Sequence, residues 1–349
     1  MPVFPGLFEK ISLMRNDEPG FLLDMAGTQG FRALCTAHKL GIFECLDPHP
    51  QTVKEVASRL NLDPRGTGLL LEALEALGYL ELNGDRYCNS KIAKKWLLKG
   101  SPSSFSAALP LYSSLLFEFS ELLEYTIREG KPHFTLHEWL SRKDDEVCDS
   151  EKLFLSPTQI PVEEILDKTS LQTSAGNLLE ISSSRGFYSR ELCRRYPGLR
   201  AVVLESPLSG LENEIVTDEF SDRISIYHGN CLNSLPEQAF DVVLIFNVLH
   251  RNSDSTNESL VDNVKNALNP GGNLIILDQL GDQSTGPAAK AFTRLQALNL
   301  FNASGGQIYT FSEISFWLEK AGFVDISRKK LSAAPLLGLI FALKPGVDE

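Results

Sequence analysis

The pattern of apolar and polar positions divides the chain into two parts of different character. Up to about residue 140, apolar residues recur mostly at three- and four-residue intervals, the spacing of one buried helical face. From residue 177 onward, short apolar runs alternate with helical segments; the runs read NLLEIS, AVVLES, ISIYHGN, DVVLIFN and NLIILDQ, and VDISRKK and PLLGLIFALK close the chain as two further strands. This alternation predicts a parallel sheet covered on both faces, in a doubly wound, Rossmann-like α/β domain.

The first part of the chain carries clear signals for the ends of its elements. Residues 21–46 predict helices, and the segment TVKEVASRLNL begins with Thr52 and has Glu55 three residues later, the arrangement of a capping box. A further helix follows, which Gly78 can end, and NGD at 83–85 predicts a hairpin. Helix, turn, helix and hairpin together predict a winged helix.

Winged helices often bind DNA through their second helix, which the pattern places here at 67–77. This segment offers Glu72 and Glu75 and no Lys or Arg, so it would repel phosphate. A formal charge of −12 and a pI near 5.1 also disfavour nucleic acid and anionic membranes as partners, because such binding needs clustered basic residues. We expect a packing or dimerisation module instead.

With 349 residues and an ordinary 43 % of hydrophobic residues, the chain is long enough for two domains with cores of their own. We expect a winged-helix domain over 1–100, a helical connecting region over 101–165 with a charged linker near 141–152, and a Rossmann-like domain over 166–349.

The cysteines and the first residues indicate the cellular context. Six scattered cysteines, with no pair at the spacing of metal ligands, predict reduced thiols and no metal site. The first 20 residues lack the order of a secretory signal, and no apolar run approaches the ~20 residues that span a bilayer. We therefore expect a cytoplasmic protein that is neither exported nor membrane-spanning.

As a spaced set, several segments carry a family resemblance over nearly the whole chain. They are the block from LGIFECL to GDRYCNS, then LRAVVLESP, FDVVLIFNVLH, NALNPGG before an apolar strand, and LEKAGF near the end. The chain resembles the S-adenosylmethionine-dependent O-methyltransferases with an N-terminal winged-helix dimerisation domain, which include plant phenolic and animal hydroxyindole enzymes. The resemblance implies a class I methyltransferase fold, S-adenosylmethionine as cofactor, a small-molecule substrate and a homodimer formed through the N-terminal domain.

The turn after the first sheet strand is where backbone comes close to a nucleotide-like ligand. The family has there an acidic residue, an apolar residue, three glycines, any residue and a final glycine, whereas this chain reads EISSSRG. The resemblance assigns cofactor contacts to Glu180, Ser182, Ser184 and Gly186. Glycine suits positions where φ is positive or where a Cβ would strike the ligand. The serines could therefore narrow the groove, or their hydroxyls could donate hydrogen bonds to the cofactor.

Four further cofactor contacts are expected at the ends of later strands. Glu205 ends the second strand 19 residues after Gly186, where a carboxylate can accept the ribose hydroxyls; a solvated strand-end charge is the alternative. Asn230 stands where the family usually has Asp beside the adenine, and it still accepts through its carbonyl. Cys231 follows as the residue that flanks the adenine, and Asn247 in FNVLH completes the set.

The candidate base is His250, in FNVLHRNSDS at the end of the fourth strand. Methyl transfer to a hydroxyl needs in-line positioning and a base, and an imidazole suits that task. A lone histidine in this place is more often structural, but the resemblance matches it to the proposed base of the family and matches Asp278 to a carboxylate that orients the ring. Arg251 replaces a family acid, Ile308 a second orienting carboxylate, and Phe246 a lysine.

The resemblance places the acceptor pocket on the helix AFTRLQALNLFNASGG. The candidate lining residues are Phe292, Leu295, Leu298, Asn299, Phe301 and Asn302. Spacings of three and four residues put several of them on one face, and core packing explains the same pattern equally well.

Our leading hypothesis is an O-methyltransferase that acts on a hydroxyl of a small, mostly apolar, aromatic or polyketide-like compound of secondary metabolism. The departures from the family pattern keep a second hypothesis open. In it, the same fold serves decarboxylation, hydroxylation or pericyclic chemistry, with Arg251 polarising a substrate carbonyl, or the chain is a catalytically inactive dimeric partner.

Overall fold

The structure of the protein is a computed structural model, and it describes residues 15, 20–140, 142–143, 162–169, 171, 176–182, 186–205, 220–232, 235–283 and 285–346. These residues form two compact units, of which the first extends to Glu118 and includes Lys143, and the second begins at Phe119. The connecting region predicted over 101–165 is therefore divided between the two units at residue 118. Most of the linker predicted near 141–152 lies outside the described residues.

The first unit is mostly helical. Its helices are α1 (Phe21–Lys39), α2 (Ile42–Leu46), α3 (Val53–Leu60), α4 (Pro64–Ala76), α5 (Lys91–Trp96) and α6 (Leu109–Phe117), and its strands are β1 (Leu80–Asn83) and β2 (Arg86–Asn89). The two strands pair as an antiparallel hairpin. The predicted order of helix, turn, helix and hairpin is thus confirmed.

The ends of α3 and α4 follow from their first residues. Thr52 accepts the Glu55 N–H through its hydroxyl, and the Glu55 carboxylate accepts the Thr52 N–H, so the predicted capping box begins α3. Helix α4 begins at Pro64 rather than at residue 67, because the Asp63 carboxylate accepts the Gly66 N–H and proline suits the first helical position.

The second unit contains one mixed sheet with helices on both faces. Its helices are α7 (Leu123–Glu129), α8 (Leu136–Leu140), α9 (Val162–Lys168), α10 (Phe187–Arg195), α11 (Asp254–Ala267), α12 (Pro287–Ser304) and α13 (Phe311–Lys320). Its strands are β3 (Asn177–Ser182), β4 (Arg200–Glu205), β5 (Ile224–His228), β6 (Phe240–Phe246), β7 (Leu268–Gln279), β8 (Val324–Lys330) and β9 (Leu337–Leu343). All the predicted strands are present.

The strand order of this sheet is β5-β4-β3-β6-β7-β9-β8, with β9 antiparallel to both its neighbours and every other pair parallel. One buried layer joins Leu179 and Ile181 of β3 to residues of α11 and α13, and the other joins Leu178 to residues of α9 and α10. The doubly wound α/β prediction is confirmed. Among the helices of the described ranges, none has the length and apolar composition needed to span a membrane.

Glu164 of α9 anchors the segment that follows β8. Its carboxylate accepts from the Lys168 ammonium at 2.6 Å and from the backbone N–H groups of Ser332 and Ala333 at 2.7 and 3.0 Å. These hydrogen bonds, the one from Lys168 first, lower the pKa of Glu164 from 4.5 to about 2. The ionised form of this side chain is thus the one that stabilises the fold.

We expect Glu164→Gln to lower the free energy of unfolding at pH 7, by an amount that shrinks as the pH falls. A carboxyl whose pKa is lower in the folded than in the unfolded chain contributes fully above the unfolded value, and this contribution is lost as the pH falls through the folded value. The window therefore runs from about pH 4.5 down to about 2. Urea denaturation of both proteins at pH 7 and pH 3 measures the effect, and Glu129→Gln, at the exposed end of α7, is the control. A difference that is equal at both pH values would contradict the assignment.

Candidate active site

The carboxyl ends of the parallel strands β3 to β6 meet at one edge of the sheet. Ser182 of β3 pairs with Phe246 of β6, and Glu205 of β4 pairs with His228 of β5. The strand order reverses between β3 and β6, and in doubly wound sheets such a reversal opens a crevice for ligands. The fold brings to this edge the following residues predicted from the sequence: Ser182, Gly186, Glu205, Asn230, Cys231, Asn247, His250 and Asp278.

Glu180 lies two residues before Ser182, the last residue of β3, and is fully buried. One carboxylate oxygen accepts from the Ser182 hydroxyl at 2.5 Å, and the other accepts from the N–H and the hydroxyl of Ser189 at 2.7 and 2.6 Å. Ser189 is the third residue of α10, so the carboxylate also caps that helix and meets the positive end of its dipole. Glu180 therefore joins the end of β3 to the start of α10. Ser189 was not among the site residues predicted from the sequence.

We expect Ser182→Ala to lower the free energy of unfolding by roughly 1–3 kcal/mol, because it leaves a buried carboxylate without one of its donors. Urea denaturation measures this loss. The control is Ser259→Ala on α11, where the lost hydroxyl is exposed and donates only to the Ser255 carbonyl. Equal stabilities of the two variants would show that the Ser182 hydroxyl contributes nothing to the fold.

Gly186 immediately precedes α10 and has a φ of 75°, in the left-handed region that favours glycine. This conformation explains why the last glycine of the family pattern is present here although the three before it are serines. Ser183, Ser184 and the side chain of Glu205 lie outside the described part of the chain.

The loop after β5 is held by side-chain amides. The Asn230 amide oxygen accepts the Leu232 N–H at 2.9 Å, and the Asn263 amide nitrogen of α11 donates to the Leu232 carbonyl at 2.8 Å. An amide oxygen can accept two hydrogen bonds, and the Asn230 oxygen uses one of them within the loop itself. Cys231 is partly buried, and burial raises the pKa of its thiol, so it presents an uncharged, apolar surface at neutral pH.

Asn247 follows β6 with a φ of 58°, and its N–H donates to the Leu277 carbonyl of β7 at 2.8 Å. Asparagine is among the few non-glycine residues that occupy the left-handed region readily. This sharp bend ends the strand and leads into the 3₁₀ turn Leu249–Arg251, which carries His250.

His250 and Asp278 form a hydrogen-bonded pair. The imidazole Nδ1 lies 2.7 Å from Oδ1 of Asp278, and the His250 side chain is 18 % exposed whereas the carboxylate is 2 % exposed. Because an ionised carboxylate can only accept, Nδ1 carries the proton in this pair, which leaves the lone pair of Nε2 available to a substrate. Such an arrangement can act chemically as an oriented general base.

Asp278 also fixes the main chain that carries the ring. Its Oδ2 accepts the N–H of Leu249 at 2.9 Å, and its Oδ1 accepts the N–H of Gln279 at 2.8 Å in addition to the imidazole. One buried carboxylate therefore sets both the orientation of the ring and the position of its turn.

Gly306 packs directly against the same turn. A Cβ at this position would lie inside van der Waals distance of the His250 carbonyl oxygen, and 2.7 and 2.9 Å from the carbonyl carbon and Cα of Arg251. Only glycine allows this approach. The double glycine in ASGGQ is the sequence signal that could have indicated this close approach of two backbone segments. Ile308, two residues on, is buried, and Arg251 is exposed.

The residues proposed for the acceptor pocket have different environments on α12. Phe292 and Leu295 are 51 % and 61 % exposed, and Leu298, Asn299 and Phe301 are partly buried. Asn302 is buried; its amide oxygen accepts from the Thr126 hydroxyl at 2.7 Å and its amide nitrogen donates to the Phe119 carbonyl at 3.1 Å. These contacts tie the segment that begins at Phe119 to α12.

Comparison with known proteins identifies the family of this chain. The family model of the O-methyltransferase domain matches residues 119–324, and that of the O-methyltransferase dimerisation domain matches residues 26–99. The tetracenomycin polyketide synthesis 8-O-methyl transferase of Streptomyces glaucescens is 27 % identical over 92 % of this chain and 96 % of its own length. The 3-hydroxy-5-methyl-1-naphthoate 3-O-methyltransferase of Streptomyces sahachiroi is 25 % identical over 93 % of this chain and 95 % of its own length.

Among solved structures, human N-acetylserotonin methyltransferase in complex with SAM aligns with a TM-score of 0.74 at 22 % identity, and the alignment covers 99 % of this chain and all of that one. This likeness supports the class I methyltransferase fold. None of these relatives points to the non-methylating hypothesis. The methyltransferase domain model alone matches more than half of the length of this chain, so the chain belongs to the O-methyltransferase family.

Proposed function

We propose that this enzyme transfers a methyl group from S-adenosylmethionine to a hydroxyl of a small, mostly apolar, aromatic or polyketide-like metabolite. The observation that carries the proposal is the His250–Asp278 pair at the carboxyl edge of the sheet. A base in that position serves a reaction in which a hydroxyl must lose its proton as it attacks.

The residues at this edge fit the cofactor. The Ser182 hydroxyl is engaged by Glu180 within the protein, and Gly186 keeps the backbone conformation that the turn into α10 requires. Ser182 and Gly186 would form the wall of the site at β3, with the buried Glu180 holding Ser182 from behind, and Ser184 is predicted to belong to the same turn. Glu205, Asn230, Cys231 and Asn247 would contact the nucleoside part. When bound, S-adenosylmethionine supplies an electrophilic methyl group on a sulfonium.

The residues of the chain supply the remaining chemistry. His250 takes the hydroxyl proton at Nε2, and Asp278 stabilises the imidazolium that forms, through the hydrogen bond to Nδ1. Helix α12 would hold the acceptor through Phe292, Leu295, Leu298, Asn299 and Asn302, and Asn302 would act indirectly, by holding α12 in place. Arg251 would lie beside the acceptor.

Three observations support the wider proposal. The names of the two bacterial relatives specify a polyketide and a naphthoate, which favours an aromatic acceptor. The dimerisation domain favours a homodimer formed through the first unit. The five cysteines within the described residues are free thiols, which favours a cytoplasmic enzyme.

Calorimetric titration with S-adenosylmethionine and S-adenosylhomocysteine tests the cofactor, and transfer of a labelled methyl group to a panel of hydroxynaphthoates and hydroxyanthraquinones tests the reaction. We expect micromolar affinity and transfer to at least one phenolic hydroxyl. Absence of binding at millimolar cofactor would refute the proposal. Binding without transfer to any acceptor, together with another turnover that Arg251→Ala abolishes, would favour a non-methylating enzyme.

A further inference from the structure

A buried polar network supports the turn that carries His250. Asn257 of α11 is fully buried, and its amide nitrogen donates to the Leu249 carbonyl at 2.9 Å. Its amide oxygen accepts from the side chain of Asn252 at 3.1 Å. A single side chain thus holds the residue before His250 and the second residue after it.

Tyr309 holds the same turn from another element. Its hydroxyl donates to the Asn252 carbonyl at 2.7 Å, and its ring packs edge to face on Trp317 with the ring centroids 4.7 Å apart. The side chain is buried. Burial, aided by the nearby Asp254 carboxylate, raises the pKa of Tyr309, so the phenol remains a hydrogen-bond donor throughout the neutral range.

These contacts converge on one short stretch of backbone. Asp278 holds the turn from β7 through the Leu249 N–H, Asn257 holds it from α11, and Tyr309 holds it from the segment between α12 and α13. Buried polar side chains are costly unless they are paired, and apolar residues would pack a purely structural core at lower cost. Satisfied pairing directed at a single turn indicates that the geometry of the turn is what the network maintains.

We propose that Asn257 and Tyr309 are positioning residues for the base, which fix the turn so that the His250 ring stays aligned with Asp278. The effect on turnover rests on the proposed function, whereas the alignment of the ring is a property of the free protein. Ile308, where a second orienting carboxylate is absent, immediately precedes Tyr309. In this chain, support for the ring therefore passes through the backbone of its turn instead of through a second acidic side chain.

The cleanest test is Tyr309→Phe, which removes one hydroxyl and keeps the ring on Trp317. We expect kcat to fall about tenfold, while the affinity for S-adenosylhomocysteine stays within about twofold of that of the wild type. In the free protein we expect the ¹H–¹⁵N NMR signals of the His250 ring to shift or broaden as the hydrogen bond to Asp278 becomes less populated. Asn257→Ser, whose side chain is too short to reach both partners, should act in the same direction.

The matched control is Tyr196→Phe. It removes a hydroxyl that accepts the Leu171 N–H at 3.1 Å, so it also leaves one backbone group unpaired, but at the far end of α10. It should lower stability while leaving kcat and the His250 signals unchanged. If Tyr309→Phe and Asn257→Ser behave like this control, the network is structural only and the proposal is overturned. If the wild type transfers no methyl group, the proposed function fails and the ring signals alone decide the positioning role.

Discussion

His250→Gln is expected to lower kcat for methyl transfer by about 10²- to 10⁴-fold, the contribution of a positioned general base. Glutamine can still donate a hydrogen bond towards Asp278, but it has no nitrogen that can take up a proton. The affinity for S-adenosylhomocysteine should change little, because in the proposed mechanism the imidazole serves the acceptor hydroxyl and not the cofactor. Steady-state kinetics with saturating acceptor and calorimetric titration of the variant measure the two effects separately.

Asp278→Asn should also lower kcat, because the amide group would direct a donor either at the imidazole Nδ1 proton or at the N–H of Leu249.

The control for His250→Gln is His49→Gln, at an exposed site in the first unit, which should behave like the wild type. A His250→Gln enzyme with wild-type kcat would show that the hydroxyl proton leaves by another route.

Gly306→Ala is expected to reduce kcat by roughly 10²-fold, the effect of displacing a catalytic group by about 1 Å. The added methyl group would overlap the His250 carbonyl and the backbone of Arg251, so the turn or the ASGGQ segment has to move. Because these neighbours are main-chain atoms held by Asp278 and Tyr309, they cannot rotate out of the way as a flexible side chain would.

The control for this variant is Gly198→Ala, since a Cβ at Gly198 meets no atom within 4 Å. Activity should be unchanged there. Circular dichroism and thermal unfolding of both variants separate a displaced base from a protein that has failed to fold. Wild-type turnover in Gly306→Ala would mean that the turn tolerates displacement and that its close packing has no bearing on catalysis.

Most strands of the second unit could be predicted because they are short, almost wholly apolar runs, and several of them, such as β3 and β7, lie between helices along the chain. Their grouping followed as well, since parallel strands end at a common edge and this places Ser182, Glu205 and His250 together. The pairing of His250 with Asp278 came from the family resemblance, because no local pattern reveals which of several strand-end carboxylates meets a given ring.

The polar support of the site could not be predicted in the same way. Ser189 and Asn257 are ordinary polar residues on helices, and only the packing of those helices against the sheet determines that both are buried. The spacing on α12 was ambiguous for a related reason, since a helical face that lines a pocket and one that packs in the core have the same period. Only the structure reveals that Asn302 is buried and hydrogen-bonded to Thr126 and Phe119. The start of α4 was different: Asp63 followed by proline was a readable signal, and the prediction from residue 67 overlooked it.

The hydrogen bonds around Glu180 limit how this sequence can change. A glycine at position 182 would remove one donor from the Glu180 carboxylate, which water cannot reach, and loss of the Ser189 hydroxyl would remove another. Ser182, Ser189 and Glu180 are therefore expected to be replaced together, so that a hydroxyl at position 182 persists wherever the buried acid does.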